Sequence, residues 1–107
     1  MSVVDVNKID GIAVNSNDDN RLMLLITDHL DWTKEYDHLL LLQKKINAYI
    51  SFLESEQYRE IYPEKQFFTY IIEIHFKYGR TPNCIKFIDT INKQLSTSNI
   101  LIEAIES

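Results

Sequence analysis

The run Asp28-His29-Leu30-Asp31-Trp32, followed by Glu35 and His38, is the densest set of groups able to bind a metal or move a proton. Carboxylates and imidazoles gathered this closely could ligate zinc, or could act as a paired acid and base near neutral pH. The spacing matches no recognised ligand pattern, so no metal is expected from it. His29 and His38 also straddle the expected start of a helix, so their convergence depends on the fold. The competing reading is structural: Asp31 caps the helix, His29 is solvated, and Trp32 staples the helix to a sheet. Asp28, His29, Asp31, Trp32, Glu35 and His38 are the candidate binding residues; no catalytic residue is assigned.

Two further places carry chemistry-bearing side chains. Glu73 and His75 are two apart and share one face of any strand, where they could form a ligand pair or a proton-transfer pair, or serve as cross-strand polar partners on a solvated surface. Cys84 falls in the first turn of a helix, where the dipole would favour a thiolate. No helper histidine is near it in sequence, and a partly buried structural cysteine is the better reading. The chain contains no Walker loop, dinucleotide glycine fingerprint, nucleophile elbow, His-Glu-x-x-His or Cys-x-x-Cys. That absence counts against the common enzyme classes, and no cofactor is expected.

Phe68 to Lys77 gives the plainest structural signal. Phe68, Tyr70, Ile72, Ile74 and Phe76 fall on one parity, and Thr69, Glu73, His75 and Lys77 on the other, with Ile71 the apolar exception. Strand side chains alternate between faces, so one face is buried and the other is open or used by a partner. Gly11 to Asn15 and Arg21 to Thr27 read as a hairpin across Asn15-Ser16-Asn17-Asp18-Asp19-Asn20, residues that bond their own backbone. The second of these strands is nearly all apolar, which predicts a central position with both faces covered. Val3 to Ile9 reads as a short leading strand or a helical turn.

Trp32 to about Ser55 is a predicted helix, with Tyr36, Leu39, Leu42, Ile46, Tyr49, Ile50 and Leu53 as its core stripe. Asp31 or Thr33 would cap it. Thr81-Pro82 starts a second helix, whose inner face is Ile85, Ile88, Ile91, Asn92 and Leu95. Ile100 to Ile105 closes the chain as a strand. Tyr58, Tyr62 and Phe67 lie outside these stripes, either as an exposed aromatic patch or as packing over the first helix end. The predicted fold is α+β in the order β-β-α-β-α-β: a four-stranded mixed sheet with both helices on one face, with residues 1–107 forming one small domain.

Bulk composition agrees. The chain has 107 residues, 45% hydrophobic and 25% charged, with a formal net charge of −5, ordinary values for one soluble globular domain. The single cysteine rules out an internal disulfide. The N-terminus lacks the positive start of a signal peptide, and no apolar run is long enough to span a bilayer, so a cytoplasmic location is expected. Lysines and arginines are scattered, which argues against nucleic acid and anionic membrane as partners. Excess acid favours a basic protein partner instead.

Ile26-Thr27-Asp28-His29-Leu30-Asp31-Trp32, then His38, then Leu41-Leu42-Gln43-Lys44-Lys45-Ile46-Asn47-Ala48-Tyr49, then Phe52 with Glu54-Ser55 and Gln57, resembles a small bacterial domain family of unknown function. The resemblance implies a bacterial source and a stand-alone domain, and it brings no activity with it. The functional expectation is therefore a non-catalytic protein-binding module, immunity- or adaptor-like, meeting a basic partner through Asp18, Asp19, Asp28, Asp31, Glu35 and Asp37, with Trp32 or Tyr58 as anchors. The alternative is a metal-dependent or acid–base enzyme using Asp28, His29, Asp31 and His38. A third reading is a homodimer through the open sheet face, by way of Thr69, Ile71, Glu73 and His75.

Overall fold

The run of turn formers from Asn15 to Asn20 folds the chain back on itself. The Asn15 side-chain oxygen accepts hydrogen bonds from the Asn17 and Asp18 amides, and Asp18 Oδ1 accepts from Asn20 N. This self-bonded loop joins β1 (Gly11–Val14) to β2 (Arg21–Asp28) as an antiparallel pair. The chain then forms α1 (Glu35–Glu54), a 3-10 turn (Gln57–Glu60), β3 (Thr69–Phe76), α2 (Pro82–Gln94) and β4 (Ile100–Glu106). The computed structural model describes residues 3–5 and 8–106.

The sheet order is β1-β2-β3-β4, with β2, β3 and β4 mutually parallel. Both crossovers, through α1 and through α2, step the same way across the sheet. Right-handed crossovers in one direction place their helices on one face. The covered face is built from Leu22, Leu24 and Ile26 of β2, Ile72, Ile74 and Phe76 of β3, and Ile100 and Ile102 of β4. Leu42, Ile46, Tyr49 and Leu53 of α1 and Cys84 and Ile88 of α2 are buried with them. The predicted α+β order and the two-helix layer are what the chain adopts.

Several expectations are corrected. β2 is central, yet only alternate residues are buried; Met23, Leu25 and Thr27 are half-buried, because among the described residues no helix or strand packs over their face. Phe68 is exposed, since β3 begins one residue later. Tyr36 is 73% exposed. At about 100° per residue it lies opposite the buried stripe His38, Leu42, Lys45, Ile46, Tyr49 and Leu53. Ile85 is exposed because Cys84 takes the inward position one turn before Ile88. α1 begins at Glu35 rather than Trp32, and its N-cap, Lys34, makes no side-chain cap bond. Thr81 does cap α2, accepting from Cys84 N at 3.1 Å with Pro82 following.

The aromatic group resolves as packing. Tyr58 and Phe67 are buried, and Tyr58, Tyr62, Phe67 and Tyr70 meet ring to ring beyond the end of α1. The Tyr58 and Tyr70 hydroxyls lie 2.9 Å apart, and burial pushes the Tyr70 phenol up to about 12. In the leading segment, Val3 is buried and its amide donates to Thr27 O at 2.9 Å. The strand or helical turn expected from Val3 to Ile9 includes Val6 and Asn7, which lie outside the described residues.

Candidate functional site

β2 ends on the inward parity, so its last residue, Asp28, points at the helix layer. One turn into α1, His38 occupies the first position of the core stripe. The two meet: His38 Nε2 lies 2.5 Å from Asp28 Oδ2, with both side chains almost wholly buried. Leu30 N donates to Asp28 Oδ1 at 3.1 Å. His38 Nδ1 lies 3.0 Å from Asp31 O. A carbonyl only accepts, so Nδ1 carries a proton, and one further proton is held between Nε2 and the carboxylate. Trp32 covers the ring, stacked at 3.7 Å between centroids and 21° between planes. Its Nε1 donates to Gly79 O at 2.9 Å, which ties the start of α1 to the loop before α2. Gly79 has φ +65, a left-handed conformation suited to glycine in that turn.

The remaining candidates sit around this pair with other partners. Asp31 Oδ1 accepts from Thr33 Oγ1 and Thr33 N, and these bonds hold its carboxyl below the ordinary range. Asp31 thus caps the turn that precedes α1 rather than the helix itself. Glu35 is held low by hydrogen bonds from Thr81 and Asn83, which link the N-termini of the two helices. His29 is exposed and faces away from His38. It lines a hollow of about 230 Å³ at the carboxyl ends of the parallel strands, with Thr27, Asp28, His75, Phe76, Lys77 and Ile105. His38 borders a different hollow of about 260 Å³, with Asp31, Thr33 and Asp37. The structure brings Asp28, Asp31, Trp32 and His38 together, while His29 shares a hollow with Asp28 and is exposed. Among the described residues, no group of three or more His, Cys, Asp or Glu side chains is placed to hold a metal ion.

Chemically, the pair is a strut. Each His38 ring nitrogen is engaged, the imidazole face is covered by Trp32, and the carboxylate is inaccessible. Cys84 is also inert: burial pushes its thiol up to about 12, against the pull of Arg80 and the helix start. Glu73 and His75 form an exposed contact of 3.4 Å on the uncovered sheet face.

A second buried polar centre was not read from the sequence. Lys45, in the middle of α1, is fully buried, and its Nζ donates to Asp5 O and Lys8 O at 2.6 Å each and to Asp10 Oδ1 at 3.0 Å. Asp10 Oδ2 accepts from Thr27 N at 3.0 Å. Tyr49 OH donates to Leu25 O at 2.6 Å and accepts from Asp10 N at 2.7 Å; burial holds its phenol well above the ordinary value. The one available signal was a lysine at i−4 from Tyr49 and i+3 from Leu42, on the stripe itself.

The uncovered face is the other notable surface. Its register places Ala13, Met23, Ile71 and Leu101 side by side across the four strands, with Gly11, Leu25, Glu73 and Glu103 in the next row. A concavity of about 510 Å³ lies over it, lined by Gly11, Ala13, Met23, Leu25, Glu73 and His75 among others. Among the described residues, no helix is long and apolar enough to cross a membrane. No curated protein and no solved structure matches the chain. A profile described as "Family of unknown function (DUF6572)" matches residues 1–106, and the chain therefore belongs to that family.

Proposed function

We propose that this chain is a non-catalytic, cytoplasmic protein-binding module that engages a basic partner. The observation that carries this reading is the bare apolar face of a largely parallel sheet. Parallel strands are ordinarily covered on both faces. Here Met23, Leu25, Leu101 and Ile105 lie on a face over which, among the described residues, no second layer of helices or strands packs. A contiguous apolar surface rimmed by polar residues is the usual character of a protein-contact site.

The net charge of −5 supports a basic partner. Of the acids considered, Asp18, Asp19, Asp31 and Asp37 are exposed, Glu35 is partly so, and Asp28 offers no surface. Trp32 is half-covered by its own site and Tyr58 is buried, so neither anchor is free to enter a partner's pocket. The acid–base alternative has weaker support, since His38 would have to give up a present bond to reach a substrate.

The test uses the full chain as bait in lysate of its own cell, at low salt and with salt elution. Three baits are compared: wild type, Leu101→Arg, and the combined Asp31→Asn, Glu35→Gln, Asp37→Asn variant. A basic protein retained by wild type and lost with Leu101→Arg is the expected result. Retention undiminished by Leu101→Arg, or no specific retention by wild type, overturns the reading.

A further inference from the structure

The open face differs from an ordinary wet sheet surface in three respects. First, its apolar row runs unbroken from edge to edge, through Ala13, Met23, Ile71 and Leu101, and Ile71 is buried to 3% exposure even without a covering layer. Second, the β1 side is low. Gly11 has no side chain and Ala13 a small one, which leaves the concavity beside Leu25. Third, the adjoining row sets two carboxylates next to each other, because Glu73 and Glu103 are register partners on neighbouring parallel strands.

Like charges side by side on one sheet face repel. His75 Nε2 lies 3.4 Å from Glu73 Oε1, whereas Glu103 makes no ion pair among the described residues. A cation arriving from outside, set between the two carboxylates, would relieve that repulsion. Burial of the surrounding apolar surface would strengthen the contact.

The occupant that fits is a helix. The other face of this sheet is covered by α1 and α2, and parallel sheets take helices on both faces. Strands of four, eight, eight and seven residues, about 4.8 Å apart, present roughly 400 Å², and the longer ones run about 25 Å. A helix of about 16 residues spans that length. A second copy of this chain fits less well on charge. Two such faces would bring four carboxylates into one contact.

We infer that the open sheet face is completed by an amphipathic α-helix of a protein partner, whose apolar stripe covers Met23, Leu25 and Leu101 and whose single embedded Lys or Arg bridges Glu73 and Glu103. This rests on the protein-binding reading above and names the partner's chemistry. A bulky apolar side chain of that helix fills the concavity over Gly11.

The test displays two 16-residue peptide libraries to the full chain. One is helix-forming, with apolar residues at i, i+3, i+4 and i+7 and a randomised position within the stripe. The other has the same composition broken by central prolines. Selected peptides are synthesised and their affinities measured by fluorescence anisotropy against wild type, Leu25→Arg, Leu101→Arg and Glu103→Lys. The expected result is enrichment of helical clones with Lys or Arg at the randomised position. Binding should be lost with Leu25→Arg and Leu101→Arg and weakened at least about tenfold by Glu103→Lys. A peptide with Glu at that position should then prefer the Glu103→Lys protein. Leu101 is 42% exposed, so its variant keeps the test valid should Leu25→Arg fail to fold. Clones that need Leu101 but are proline-broken, or carry no basic residue, overturn this inference and leave the binding-module reading standing. Clones indifferent to Leu101, or none at all, overturn both. A wild-type dimer in light scattering that Leu101→Arg dissociates would make a second copy the occupant and also overturn the helix.

Discussion

His38→Leu should be among the most damaging single changes in this chain. Leucine keeps roughly the volume and the apolar contacts of the stripe, so the loss is that of the hydrogen bonds and of the stack on Trp32. His38 Nε2 is the partner of Asp28 Oδ2, and the Asp28 side chain is fully buried. Once the imidazole is gone, the carboxylate keeps only the Leu30 amide at Oδ1. Breaking one side of a buried ion pair costs about 3–5 kcal/mol, a large part of the roughly 5–15 kcal/mol that holds a domain folded. In a chain of this size that corresponds to a fall in Tm of about 12–20 °C.

The double variant Asp28→Asn, His38→Leu separates charge from packing. Its buried amide is neutral and still accepts from Leu30 N, so it should lose only about 1–2 kcal/mol and be more stable than His38→Leu alone. Urea unfolding followed by far-ultraviolet circular dichroism gives the free energies. Trp32 is the only tryptophan, so its fluorescence reports the site alone, including loss of the imidazole stack. A His38→Leu protein within about 1 kcal/mol of wild type, or a double variant weaker than the single, would refute the account of Asp28 as a charge held by His38.

Lys45→Met should cost about 3–5 kcal/mol in urea unfolding, because it strands the buried Asp10 carboxylate and two carbonyls; a loss below about 1 kcal/mol would show that Asp10 is solvated in its absence. In acid, Asp31 and Glu35 lie below their ordinary values of 3.8 and 4.5 when folded, so each adds stability above those values that is lost as pH falls through the folded value. Thr33→Ala should raise the Asp31 midpoint, read from carboxyl chemical shifts, and no movement would remove Thr33 as its cause. Cys84 titrates near 12 when folded rather than 9.0, so its contribution is present below pH 9 and is lost as pH rises toward 12. The native protein at pH 9 should resist thiol reagents that label it fully in urea, and rapid native labelling would contradict the burial of the thiol.

The backbone plan was legible because it is written in apolar spacing. The alternation in β3, the Thr81-Pro82 start of α2 and the asparagine-rich hairpin loop each report a local rule. The inner face of α1 was legible only in part, since two of its core positions are filled by His38 and Lys45. A hydrophobic pattern passes over such residues, and it took Tyr36 into the stripe instead. What makes a polar residue acceptable in a core is a partner, and these partners, Asp28 and Asp10, come from chain positions brought close only by the finished fold. The candidate site shows the same division. The cluster from Asp28 to His38 stood out by composition, while the pairing of His38 with Asp28 and the separation of His29 depend on the turn made by Asp31 and Thr33. The coverage of β2 differs from expectation because a strand rich in apolar residues looks the same in sequence whether or not a second layer packs on its outer face.

That last ambiguity bears on function. Three buried polar groups of this chain fix α1: His38 to the end of β2, Lys45 to the segment before β1, and Tyr49 to the β2 backbone. Each of the three is satisfied by partners within the chain, whereas Arg21 Nε, on the outward parity of β2, is buried without a hydrogen-bond partner. A helix anchored at three points along its length holds the sheet beneath it in a fixed twist and register. On the proposed reading, the apolar row, the trough over Gly11 and the paired carboxylates of the opposite face would need little ordering on binding. Rigid support on one side and an open apolar layer on the other are the two features on which the proposed binding role rests.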